Sequence, residues 1–207
     1  AQCLALADEV EAAHDRFGRA VPLLRAGGAD PVAIASVLTA WAPLACSVSD
    51  PGALLDHLDA VRGAVAAQAT PDDDGSRLGR TRRRDAQIAQ ALLGDTWARV
   101  VASAPTDQRT TGRDLVDAVA AATQAGETLG RLNRFTDAAH AFWLAGRLQR
   151  DLGETDASSW SLESAVEGFT AAGAKAAMAE AAADLIAHLR ELGQHERADA
   201  VAAQLVR

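Results

Sequence analysis

Apolar residues recur along this chain at intervals of three and four, the spacing of one face of an α-helix, and glycine, proline or polar clusters interrupt them at regular distances. Leu4, Val10, Ala13, Phe17, Val21 and Leu24 predict a first helix over about 3–26, closed by Gly27-Gly28. Asp30-Pro31 opens a second, since proline suits the first helical position. Its apolar face is Ile34, Val37, Leu38 and Trp41, and it is expected to stop near Pro43. Ser49-Asp50-Pro51 repeats the same start signal before Leu54, Leu55, Leu58 and Val61. The run Thr70-Pro71-Asp72-Asp73-Asp74-Gly75-Ser76-Arg77 reads as a loop. The reading is therefore an N-terminal three-helix segment, 1–70, a joint at 71–77, and a longer helical region, 78–207. In that region a fourth helix spans about 78–103 with Ile88, Leu92, Trp97 and Val100, and a fifth spans about 112–132.

From there the pattern becomes periodic. Asn133, Gly153, Gly173 and Gly193 stand 20 residues apart. Asn and Gly are the residues that tolerate the left-handed conformation closing a helix. Each unit is then one helix and one tight turn, and two units form an antiparallel hairpin. The expected fold is all-α, about nine helices in antiparallel hairpins forming an α-solenoid.

Composition agrees with helices. Alanine occurs 50 times in 207 residues, aromatic residues make up 4%, and tyrosine is absent. Alanine is the best helix former, and its small side chain lets helices approach closely. The apolar share, 49%, is enough for an ordered core. The formal net charge of −8 argues against general nucleic-acid binding, which needs a basic surface. No apolar run is long enough to span a membrane, and no basic, then apolar, leader stands at the start. A first residue other than Met is what a processed chain or a piece of a longer protein shows. Cys3 and Cys46 read as reduced thiols, not as a disulfide framework. The Ala-, Arg- and Asp-rich composition points to the cytoplasm of a high-GC bacterium.

The stretch 185–205 resembles the tetratricopeptide repeat: the apolar pair Leu185-Ile186, Leu189, the turn at Leu192-Gly193, then Ala198 and Ala202. The preceding unit is similar, with Ala145-Gly146, Gly153, Ser158, Leu162 and Ala165. The spacing is 40 where the family has 34, and the closing proline is missing, so the resemblance covers 135–207. It implies a right-handed superhelix whose groove, lined by alternate helices, binds a peptide or protein. The groove residues it implies are His140, Trp143, Arg147, Arg150 and Asp151, then Glu180, Ala183, Ala187, Arg190 and Glu191.

Other constellations stand beside it. Arg77, Arg80, Arg82, Arg83 and Arg84 form a positive run after Asp72, Asp73 and Asp74. It reads either as a patch for an anion or an acidic partner, or as a solvated helix start whose charge the acids offset. Trp41, Trp97, Trp143 and Trp160 are either core fillers or interface anchors, Trp143 being the leading anchor. The histidines His14, His57, His140, His188 and His195 lack metal-site spacing and read as exposed or half-buried. Asp56-His57 and His195-Glu196 are adjacent on a helix and point apart, so neither makes a proton relay. No metal, cofactor or catalytic set is expected. The leading expectation is a non-catalytic interaction module of a larger regulatory protein, with a protein or peptide as partner, an acidic one suiting Arg147 and Arg150. A ligand-sensing domain of a transcription regulator and an enzyme of unfamiliar type are the alternatives.

Overall fold

A computed structural model describes residues 10–46, 52–69, 76–103 and 112–205. Among them lie nine helices: α1 (Val10–Ala26), α2 (Pro31–Ala45), α3 (Gly52–Ala69), α4 (Arg77–Ser103), α5 (Gly112–Arg131), α6 (Phe135–Asp151), α7 (Thr155–Ala171), α8 (Lys175–Glu191) and α9 (His195–Leu205). The described residues contain no strand, and the all-α expectation holds. The expected helix before Val10, the cap at 49–51 and the loop at 70–75 lie outside the described residues.

The chain forms two compact units, Ala1–Thr110 and Thr111–Arg207. The division thus falls beyond α4, not in the Asp-rich segment before it. The reason is the inward face of α4: Ala89, Leu93 and Val100 share one core with Leu38 and Trp41 of α2 and Leu54, Leu58, Val61 and Val65 of α3. A helix with that stripe is held by the helices preceding it in the chain.

In the first unit the α1–α2 turn uses Gly28 at φ 71°, with its N–H donating to Arg25 O and the Ala29 N–H to Leu24 O. Asp30 caps α2 by accepting from the Val32 N–H at 3.0 Å, and Pro31 follows at the first position. α2 runs through Pro43 to Ala45, two residues past the expected stop. A proline in the last turn removes a single backbone bond, to the carbonyl one turn back, and the helix absorbs that. Trp41 has no exposed surface and anchors this core. Its ring stacks near Phe17, with centroids 6.2 Å apart, and its Nε1–H donates to His14 Nδ1 at 3.0 Å.

In the second unit α5 to α9 pack each against the next. α6, α7 and α8 are each 17 residues long, and each is followed by three residues that reverse the chain. All four sites marked in the sequence adopt positive φ: Asn133 at 60°, Gly153 at 78°, Gly173 at 68° and Gly193 at 71°. Each closes its helix with the same pair of bonds. Gly153 N–H donates to Arg150 O and Glu154 N–H to Gln149 O, and the pattern recurs at the other three turns. Two of the carbonyls left over at each helix end are satisfied there.

The core of this unit is built of notches. A Cβ at Gly126 on α5 would lie 2.9 Å from the Phe142 ring of α6, and one at Gly146 on α6 would lie 2.8 Å from Leu162 Cγ of α7. The corresponding positions one and two modules on carry the larger Val166 and Ile186. Buried polar groups join the same seam. Ser158 Oγ donates to Gly146 O at 2.8 Å, and Ser161 Oγ lies 2.7 Å from the buried Gln149 amide. With its nitrogen turned toward Ala145 O and Ala157 O, that amide is satisfied on every side.

Candidate functional site

The resemblance directs attention to the face shared by α6 and α8. These helices are not consecutive, yet Trp143 Nε1–H of α6 donates to Asp184 Oδ2 of α8 at 2.7 Å. The bond spans the edge of α7 and aligns alternate helices on one side. Trp143 is half-buried, with its ring edge-on to Phe169 of α7 at 6.1 Å between centroids. His140 also meets Phe169 edge-on at 4.7 Å and lies near the Trp143 ring at 6.3 Å. Trp143 therefore works as a joint between helices, which is a different duty from an open anchor.

The remaining groove residues fall around this joint. Arg147 is exposed and Arg150 half-exposed on α6, with Asp151 exposed at its end. On α8, Glu180, Ala183, Ala187, Arg190 and Glu191 are all exposed. Arg190 approaches Asp199 of α9 at 3.5 Å. The face has a cationic edge along α6 and a mixed, alanine-floored strip along α8. Asp184 is the residue here that sequence reasoning missed. Its signal was its place three residues after Ala181 and four after Glu180, beside the apolar stripe of α8.

Arg77, Arg80, Arg82, Arg83 and Arg84 all stand exposed on the first turns of α4. Ser76 caps that helix, accepting from the Gly79 N–H at 2.9 Å. Arginines there oppose the helix dipole. The acids expected to offset them, Asp72 to Asp74, lie outside the described residues.

The tryptophans divide. Trp41 is core, Trp97 is half-buried with the Arg62 guanidinium 5.5 Å from its ring centre, and Trp160 is 49% exposed. The surface tryptophan is thus Trp160, where the sequence favoured Trp143. In the 20-residue register its position is exposed at Ala120, Glu180 and Ala200 and half-buried at His140, so the sequence did not mark it. His188 departs from expectation too. It is 2% exposed, and its Nε2 lies 3.1 Å from Thr155 O at the start of α7. The histidine ties α8 to α7, with Nε2 as the donor.

Among the described residues no group of three His, Cys, Asp or Glu side chains is placed to hold a metal ion. Cys46 is a free, half-buried thiol at the end of α2. No described helix is long and apolar enough to cross a membrane. The fold defines a class, an all-α array of helical hairpins. Comparison with protein-family models, with curated proteins and with solved structures gives no match.

Proposed function

We propose that this chain is a non-catalytic protein–protein interaction module whose α6–α8 face receives an acidic segment of a partner, as tetratricopeptide-like hairpins do. The observation that supports it is the Trp143–Asp184 bond, which holds alternate helices side by side so that Arg147 and Arg150 project from one edge. Such a face is ordered before any partner arrives. The partner therefore bears most of the ordering cost, and arginine forks suit carboxylates. The 40-residue hairpin, closed at Gly153 and Gly193 and notched at Gly146, supports the family likeness. The composition supports work in a bacterial cytoplasm, within a larger regulatory protein.

The test is affinity purification from native lysate with the wild type and with Arg147→Glu/Arg150→Glu. Both residues are at the surface, so folding is preserved and can be checked by circular dichroism. Specific partners should be lost from the variant. An unchanged partner set would overturn the assignment.

A further inference from the structure

Trp160 is a surface residue held by a ring contact. Its ring stands edge-on to Phe142 at 5.4 Å, an 87° contact, and Phe142 in turn fills the notch at Gly126. Half of Trp160 remains in solvent. The ring is thus presented in a fixed pose, at little further entropic cost to whatever covers it. On the same face of α7, Asp156 lies one turn before it, and Glu163 and Glu167 lie one and two turns after. Glu163 is paired with Arg197 of α9. Asp156 and Glu167 are exposed and, among the described residues, form no ion pair. α7 contains no Lys or Arg. The result is an aromatic centre with an acidic rim about 16 Å long.

The opposite chemistry stands on α4. Leu78 is 61% exposed, among the largest apolar exposures of the described residues. Arg77 adjoins it and Arg82 lies one turn along the same face, with Arg83 exposed beside them and Asp85 the single acid of the stretch 77–85. This is an apolar centre with a basic rim. Arginine is also the side chain that best stacks on tryptophan, and the two are the residues most enriched where binding energy concentrates.

We infer that the α7 stripe centred on Trp160 is a docking surface for a second copy of this chain, entered by the α4 start around Leu78, Arg82 and Arg83. The chain carries both halves of a complementary pair. The contact is small, so association is weak, of about ten to a hundred micromolar, and dependent on salt.

Sedimentation velocity of the intact protein from about 5 to 200 µM tests it, at about 20 mM and about 500 mM salt. The weight-average coefficient should rise with concentration at low salt and stay flat at high salt. Trp160→Ala and Arg82→Glu/Arg83→Glu should each abolish the rise. Mixing Arg82→Glu/Arg83→Glu with Asp156→Lys/Glu167→Lys should restore a heterodimer, a gain that misfolding cannot imitate. Wild type that stays monomeric throughout overturns the inference, and so does self-association that neither variant weakens.

Discussion

Trp143 and Asp184, forty-one residues apart in sequence, meet through a 2.7 Å hydrogen bond that skips a helix. Adjacent helices in the second unit are held by largely apolar seams with polar bonds set into them, such as Ser158 to Gly146 O and His188 to Thr155 O. This pair is polar and joins α6 to α8 across α7. Bonds to a charged acceptor contribute about 1.5–3 kcal/mol when partly shielded. Asp184→Ala should therefore lower the unfolding free energy by about 1–2 kcal/mol, or the melting temperature by about 4–12 °C for a unit of this size. Trp143→Phe keeps most of the ring contact with Phe169 and should lose a similar amount. The double variant should lose clearly less than the sum, which a double-mutant cycle in urea would read. Strict additivity would mean that the two residues act independently.

Glycine to alanine inside a helix ordinarily stabilises by up to about 1 kcal/mol. Gly63 on α3 has open space where a Cβ would go, and Gly63→Ala should follow that rule. Gly146→Ala should reverse it, because its Cβ would lie 2.8 Å from Leu162 Cγ and 3.2 Å from the Leu162 backbone nitrogen. Overpacking of this kind costs about 1–3 kcal/mol. Opposite signs for the two variants in chemical denaturation are the expected result, and stabilisation by both would show that the α6–α7 seam has slack.

At the positive-φ position the four turns of the second unit differ once, Asn133 standing where the other three have glycine. Asn133 is the sole non-glycine with positive φ among the described residues. Asn133→Gly should stabilise by a few tenths of a kcal/mol, since asparagine bears a residual steric cost that glycine lacks. Gly153→Ala, at φ 78°, should destabilise by about 1–2 kcal/mol. Thermal unfolding of the pair distinguishes a backbone cause from a packing cause, because no atom lies within 4 Å of a Cβ at Gly153.

The first unit should weaken in acid. His57 on α3 lies 5.8 Å from the Trp41 ring, and burial, then Arg25, lower its affinity for a proton, with Asp56 opposing them. The unfolded chain therefore binds that proton first. Stability is complete above about pH 6.5 and declines as the pH falls below it, until native His57 also protonates. Urea unfolding at about pH 7.5 and pH 5.5 should show the loss, and His57→Gln should reduce it. An identical slope in wild type and variant would remove His57 from this account.

The period of the second unit was legible because backbone geometry is unforgiving. Reversal in three residues demands positive φ, and Asn133, Gly153, Gly173 and Gly193 announce it. The extent of the first unit was less legible. Asp72 to Asp74 are a strong local signal of a loop, but a loop says nothing about which helices meet on either side of it. The return of α4 onto α2 and α3 depends on Ala89, Leu93 and Val100, whose spacing suits any neighbour. The fates of Trp143 and Trp160 were hidden for a related reason. Helices inside an array bury two faces, so no single apolar stripe separates inside from outside. Ser158, Ser161 and Gln149 blurred the pattern further, being polar residues that sit in the core by bonding to one another and to backbone carbonyls.

The helix-plus-turn module also imposes a parity rule on the length of this protein. Every 20-residue step reverses chain direction and moves to the other side, so excising one module would send Asp184 to the side away from Trp143. Excising two would restore the alternation, with new neighbours across the cut. Gains and losses of sequence in this half should accordingly be tolerated in steps of forty, and variants shortened by twenty should lose the α6 edge while remaining helical.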